Sequence, residues 1–115
     1  MATRQSTIDI LTDQLAGVGF VTTLKMFGEY CLYLDGKPVA LVCRDQLFVK
    51  PTNAGRAVVP EATEEAPFPG IRPYLLISTE RADHWEYRET LRRLLRATFD
   101  ALPPPKHRRR RVAGK

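Results

Sequence analysis

Residues 26–50 have the sequence MFGEYCLYLDGKPVALVCRDQLFVK, and this stretch decides the fold. Short apolar runs alternate in it with turn residues. Asp35-Gly36 is a strong signal for a two-residue β-hairpin, and Arg44-Asp45 marks a second turn. The stretch therefore predicts an antiparallel meander of three strands, at residues 26–34, 38–43 and 46–50.

Met26-Phe27-Gly28 opens this stretch and allows two interpretations. Gly28 permits close approach of the backbone to a ligand, so the three residues could contact a small molecule. A glycine in a strand more often has a packing cause, such as a bulge or a crossing helix, with Met26 and Phe27 packed beside it. We favour the structural interpretation.

Apolar residues at helical spacing flank the meander on both sides. The final helix has the clearest pattern, with Leu91, Leu94 and Leu95 on one stripe and Asp83 suited to its N-cap. The elements outside the meander are predicted at residues 7–17 (helix), 51–59 (short helix), 66–68 (brief strand), 74–78 (buried strand) and 83–101 (long helix). Because the strands are grouped and linked by hairpins, the predicted fold class is α+β, a two-layer sandwich with a mainly antiparallel sheet.

The charge is distributed unevenly along the 115 residues, whose formal net charge is +5. Residues 1–105 hold all 13 acidic and 12 of the 18 basic residues, a net charge of −1, and residues 106–115 carry +6. We expect one domain at residues 1–102, then a proline stop and a disordered basic tail at residues 103–115. No apolar run suits a secretory signal or a membrane span, so a cytoplasmic protein without membrane contact is predicted.

The basic residues near the C-terminus are the candidates for contact with a polyanion. Arginines on the outer face of the last helix and the tail would form one basic stripe, which attracts phosphates without reading base sequence. A solubilising tail without a partner is the alternative. The basic stripe consists of Arg88, Arg92, Arg93, Arg96, Lys106, Arg108, Arg109, Arg110 and Arg111.

Residues with catalytic or metal-binding chemistry are sparse in the sequence. His84 lies between acidic residues, but one histidine does not supply the three or four ligands that a metal needs. Cys31 and Cys43 lie in apolar strands, so we expect buried thiols without a disulfide. No catalytic, metal-binding or cofactor-binding residues, and no cofactor, are predicted.

The quoted stretch resembles the N-terminal domain of the TfoX/Sxy family. The resemblance rests on Met26-Phe27-Gly28, the Asp35-Gly36 hairpin and the closing strand Leu47-Phe48-Val49-Lys50. It implies an α-β(3)-α-β(2)-α sandwich of the secretion-chaperone-like type over residues 8–102. Full-length members of the family are linked to the regulation of competence for DNA uptake and carry a second, C-terminal domain. The resemblance thus implies a stand-alone, bacterial-type N-terminal domain related to transcription regulation, with no catalytic residues to carry over.

Three functional hypotheses follow. The first is a non-enzymatic regulatory module that binds a protein partner or itself, with nonspecific nucleic-acid contact through the tail. The second is a small-molecule-binding or catalytic domain with a pocket near Gly28, Glu29, Tyr30 and His84. The third is a homodimer formed through the sheet or the long helix, because residues 39–42 are apolar at consecutive positions.

Overall fold

Three tight hairpins join the first four strands of the sheet. In the computed structural model, which describes residues 3–103, both central residues of each hairpin have positive φ angles: Phe27-Gly28, Asp35-Gly36 and Arg44-Asp45. Paired positive φ angles are the signature of the type I′ turn, whose twist matches that of the flanking strands. The strands are β1 (Val21–Met26), β2 (Glu29–Leu34), β3 (Lys37–Cys43) and β4 (Gln46–Val49).

The meander therefore has one strand more than the sequence predicts. The expected strand at residues 26–34 is wrong at its start, because Phe27-Gly28 forms a turn instead of a bulge. β1 precedes that turn and pairs with β2 without interruption, from Val21 opposite Leu34 to Met26 opposite Glu29. The predicted fold class, an α+β sandwich with an antiparallel sheet, is confirmed.

Two further strands complete the sheet after the short helix α2 (Asn53–Val58). β5 (Thr63–Glu65) lies three residues before its predicted position, and β6 (Tyr74–Ile77) follows the proline-rich loop. Within residues 3–103 the sheet has six strands in the order β1-β2-β3-β4-β6-β5, and every neighbouring pair is antiparallel. β1 and β5 are thus the two edges of the sheet.

Helices cover one face of this sheet and enclose the core. They are α1 (Gln5–Gln14), α3 (Thr79–Asp83) and α4 (Arg88–Ala101), with a 3-10 turn at Trp85–Tyr87 before α4. The core between helices and sheet includes Ile8, Leu11, Leu15, Leu32, Leu34, Val39, Val42, Leu47, Val49, Leu75, Ile77, Leu91, Leu94 and Leu95. In the described part of the chain, no helix is both long enough and apolar enough to cross a membrane.

The predicted single helix at residues 83–101 is divided in the structure. Ser78 caps α3 by accepting a hydrogen bond from the Arg81 N–H, and Asp83 is the last residue of α3, not an N-cap. His84 is extended, with φ −72° and ψ 130°, which separates α3 from the 3-10 turn. Its ring Nδ1 accepts a hydrogen bond from the Glu86 N–H, so this histidine caps the turn.

Candidate functional site

The face of the sheet opposite the helices, here called the open face, carries an apolar row across five strands. Leu24 lies opposite Cys31, Cys31 opposite Leu41, Leu41 opposite Phe48, and Phe48 opposite Leu76. Residues that lie directly opposite each other on antiparallel strands project from the same face. The open face is therefore apolar from β1 to β6, and within residues 3–103 no helix packs on it, although Cys31 and Phe48 are buried.

A groove of about 420 Å³ lies at the β1–β3 end of the open face. The loop before β6 supplies one wall and is fixed by Arg44, whose Nη1 donates to the Pro67 carbonyl at 2.6 Å. The groove is lined by Met26, Phe27, Glu29, Tyr30, Leu41, Cys43 and Phe68. Its volume is that of a site for a small apolar molecule or for one or two large side chains.

The rim of the groove exposes large apolar side chains. Phe27 is fully exposed, and Met26 and Phe68 are 44% and 46% exposed. The expectation that Met26 and Phe27 pack is therefore wrong. Phe27 also has a φ of 53°, a left-handed conformation that is costly for a bulky residue. A strained, fully solvated aromatic residue has no evident role in the stability of the fold and is a candidate contact residue.

Polar contacts hold the other end of the groove against the N-terminal segment. The buried Thr3 hydroxyl donates to Glu29 Oε1 at 2.5 Å, and the Arg44 N–H donates to the same carboxylate. Asp45 Oδ1 accepts hydrogen bonds from the Arg4 N–H (2.9 Å) and the Thr7 hydroxyl (2.8 Å). These bonds lower the pKa of Asp45, the Arg4 N–H contributing most. The bonds to Asp45 attach the start of α1 to the β3–β4 turn. The bonds to Glu29 fix the position of a residue that lines the groove.

The two cysteines lie on the open face but are poorly suited to nucleophilic chemistry. Both are buried and carry free thiols. Burial raises the pKa of Cys31 and Cys43, and the nearby Glu29 carboxylate raises that of Cys43 further. A raised pKa keeps both residues as thiols near neutral pH, and the thiol is a weak nucleophile.

His84 does not belong to the groove. It lines a separate hollow next to α3, together with Ser78, Glu80, Arg81, Glu86 and Tyr87, whereas Glu29 and Tyr30 line the groove. The residues named for a shared pocket near Gly28 and His84 are thus divided between two sites. Among residues 3–103, no three His, Cys, Asp or Glu side chains are placed to hold a metal ion.

The arginines of α4 have different surroundings. Arg88 pairs with Asp13 at 3.2 Å, and Arg96 pairs with Asp35 at 3.3 Å. Arg93 is exposed, and Arg92 is half-buried. The two ion pairs reduce the positive potential of the helix face. The remainder of the basic stripe, from Lys106 onward, lies outside the described residues, so a continuous basic surface stays a prediction.

Several groove residues have no signal in the sequence that separates them from core residues. Leu41 and Cys43 lie in a strand with apolar residues on both faces, and Phe68 comes from an irregular loop. The sequence does contain a signal for β1, because Val21-Thr22-Thr23 is a β-branched run that follows the turn residues Gly17 and Gly19.

Comparison with known proteins identifies the family. The model of the TfoX N-terminal domain matches residues 13–102. The chain is also 37% identical over 109 residues to an uncharacterised 12.7 kDa protein in the trpE 5′ region of Spirochaeta aurantia, a match that covers 95% of this chain and 91% of that protein. The family match spans the sheet from β1 to β6 and ends just after α4. The chain belongs to the TfoX N-terminal domain family.

Proposed function

We propose that this chain is a non-enzymatic regulatory module that binds a partner protein or itself through the open face of its sheet. The observation that carries the proposal is Phe27, a strained and fully exposed aromatic residue at the mouth of an apolar groove. Conformational strain persists at a site when the surrounding structure enforces it, and such sites are often functional.

The chemistry of the groove favours a protein partner. A few aromatic anchors, surrounded by residues that exclude water, contribute most of the binding free energy in a protein interface. Phe27 and Phe68 fit this description, since both expose rings beside a groove whose floor includes Leu41 and Cys43. The partner's contribution would be one or two apolar side chains inserted between the two rings.

The regulatory part of the proposal is supported by family membership, because full-length proteins that the chain resembles are linked to competence for DNA uptake. A competence role for this chain belongs to the same proposal, as does its placement in the cytoplasm. The free and buried Cys31 and Cys43 agree with a reducing compartment.

A pair of substitutions tests the open face. Phe68→Ser removes one wall of the groove, whereas Trp85→Ser removes an aromatic side chain that is also exposed (74%) and lies next to α4. We expect partners captured by the unmodified protein from a nuclease-treated lysate of its own cells to be lost with Phe68→Ser, by about tenfold or more. The same partners should be retained with Trp85→Ser.

Equal loss with both variants would indicate nonspecific hydrophobic adsorption and would contradict the proposal. Capture that is unchanged by Phe68→Ser would also contradict it. Circular dichroism of both variants shows whether each remains folded, and little change is expected because both side chains are substantially exposed.

The basic tail is proposed to add nonspecific contact with nucleic acid. Deletion of residues 106–115 should leave the melting temperature nearly unchanged and remove most retention on DNA or RNA at low salt. A full-length variant with Arg108–Arg111 replaced by glutamine separates charge from tail length. If the truncated protein is retained as well as the intact one, the tail is not the contact, and Arg93 on α4 becomes the next residue to test.

A further inference from the structure

The edge strand β1 presents unpaired backbone groups to solvent. The Asp35 N–H donates to the Phe20 carbonyl at 2.8 Å, and the β1–β2 register continues unbroken from that point. Hydrogen bonds of an antiparallel ladder alternate along the strand. The N–H and C=O groups of Val21, Thr23 and Lys25 must therefore point away from the sheet.

The two edges of the sheet differ in how they resist pairing with another strand. β5 is three residues long and has the sequence Thr-Glu-Glu, so it is short and negatively charged. β1 is six residues long, contains neither proline nor a bulge, and carries Lys25 as its one charge. Short length and charge are the usual protections of an edge strand, and a long, regular edge is a template for a further strand.

We propose that β1 pairs antiparallel with β1 of a second copy of this chain, with Thr23 opposite Thr23 at the two-fold axis. A two-fold axis perpendicular to the sheet keeps each face of the sheet continuous across the pair. In this register Val21 lies opposite Lys25 of the second copy. All outward N–H and C=O groups of the three residues then find partners, which gives about six backbone hydrogen bonds.

In the same register, exposed apolar side chains in and next to β1 lie against each other across the two copies. Phe20, which is 70% exposed, lies opposite Met26 of the second copy, which is 44% exposed. Leu24, which is 49% exposed, lies opposite Thr22 of the second copy and diagonal to Leu24 of that copy. The pairing would cover three exposed apolar side chains per copy, all on the open face.

The neighbouring symmetric registers are less favourable. Centring on Leu24 leaves the outward groups of Val21 without a strand partner, and it places Phe20 opposite Gly28 instead of Met26. Centring on Lys25 puts two ammonium groups directly opposite each other, which is destabilising. Centring on Thr22 places the outward groups of Lys25 opposite Gly19, which precedes β1. Centring on Thr23 avoids all three costs.

This inference rests on the self-association part of the proposed function but uses the sheet edge instead of the groove. Pairing would join two six-stranded sheets with both open faces on the same side. Met26 belongs both to the lining of the groove and to the pairing surface, whereas Phe68 belongs to the groove alone. A variant at Thr23 and a variant at Phe68 therefore report on different surfaces.

Introducing charge at the two-fold axis tests the pairing. We expect sedimentation equilibrium to show a concentration-dependent dimer for the unmodified protein. Thr23→Lys should weaken it by about fivefold or more, because like charges then lie opposite each other. Thr23→Glu should weaken it less, because Lys25 of the second copy lies diagonal to each introduced carboxylate. An equimolar mixture of the two variants should dimerise again. Thr63→Lys, an exposed threonine at the other edge, should have no effect.

Several results would overturn the inference. One is a monomer at every concentration up to several hundred micromolar; another is a dimer that neither Thr23 variant weakens. Tighter dimerisation of the Thr23→Glu variant would mean that the introduced carboxylate lies opposite Lys25 of the second copy, which refutes the Thr23 register. Failure of the mixture to recover would mean that the variants act on folding. None of these results bears on the capture of a partner by the groove, which is tested separately with Phe68→Ser. The two proposals can therefore fail independently.

Discussion

Phe27→Asn is expected to raise the melting temperature of this protein by roughly 4–8 °C. Phe27 occupies the first central position of a type I′ turn with a φ of 53°. Asparagine is favoured at that position, and Asn-Gly is the preferred pair for such hairpins. Relief of the backbone strain is worth about 1 kcal/mol, which corresponds to that shift for a domain of about 100 residues. The phenylalanine ring is fully exposed, so no packing is lost to offset the gain.

The same substitution is expected to weaken partner binding by about 30-fold. A central aromatic anchor of an interface contributes about 2 kcal/mol or more, and asparagine cannot replace the apolar area of the ring. Stability and binding should thus change in opposite directions at one residue. A residue selected for the fold alone would not show this opposition.

Phe27→Tyr is the matched control for Phe27→Asn. Tyrosine keeps both the ring and the steric cost of the left-handed conformation, so the melting temperature and partner binding should stay close to those of the unmodified protein. Thermal melts and titration with a captured partner measure the two effects. A lower melting temperature for Phe27→Asn, or unchanged binding, would remove Phe27 as the basis of the proposed function.

Local patterns in the sequence predict most of the fold. Asp35-Gly36 predicts its hairpin because few residue pairs adopt two successive positive φ angles. Leu91, Leu94 and Leu95 predict α4, since their spacing gives a continuous apolar stripe, and all three are fully buried. These signals are strong because each depends on the geometry of a few neighbouring residues.

The first hairpin could not be predicted from propensity because its turn violates propensity. Phe27 is a poor residue for a left-handed position, so Phe27-Gly28 resembles the interior of a strand. The division of the predicted helix at residues 83–101 into separate elements could not be predicted for a related reason. Trp85, Glu86 and Tyr87 fit a helical pattern, and the break at His84 depends on backbone angles that no single residue type demands.

The groove depends on contacts between residues far apart in the sequence. Phe68 reaches it because Arg44, in the β3–β4 turn, holds the Pro67 carbonyl. Sequence patterns do not encode which loop crosses an exposed sheet face. They also cannot separate Leu41, which faces the groove, from Val42, which is completely buried in the core.

Gly55→Leu is expected to lower the free energy of unfolding by about 3 kcal/mol, the upper end of the range for overpacking a filled site. Gly55 lies in α2 where this helix crosses α4. A Cβ atom at Gly55 would lie 3.0 Å from Thr52 Oγ1, 3.2 Å from Thr98 Oγ1 and 3.3 Å from Leu94 Cδ1. Thr98 and Leu94 are completely buried, so neither can move away without disturbing the core.

The clash also reaches the start of α2. Thr52 Oγ1 accepts the Gly55 N–H at 2.9 Å as the N-cap of α2, and displacing this hydroxyl would remove the cap. Loss of an N-cap costs about 1 kcal/mol by itself. Gly55→Ala should therefore fail to give the stabilisation of about 1 kcal/mol that replacing glycine by alanine usually gives in a helix.

Ala57→Leu provides the matched control, because Ala57 is an exposed residue of the same short helix. Leucine is nearly as good a helix former as alanine, so Ala57→Leu should change the melting temperature little. Urea unfolding of the three variants measures the differences. Replacing a solvent-exposed helical glycine by alanine stabilises a protein. If Gly55→Ala did the same here, the close contact between α2 and α4 would not exist in solution. Glycine has a low helix propensity, yet Gly55 is thus expected to be the residue that lets α2 pack against α4.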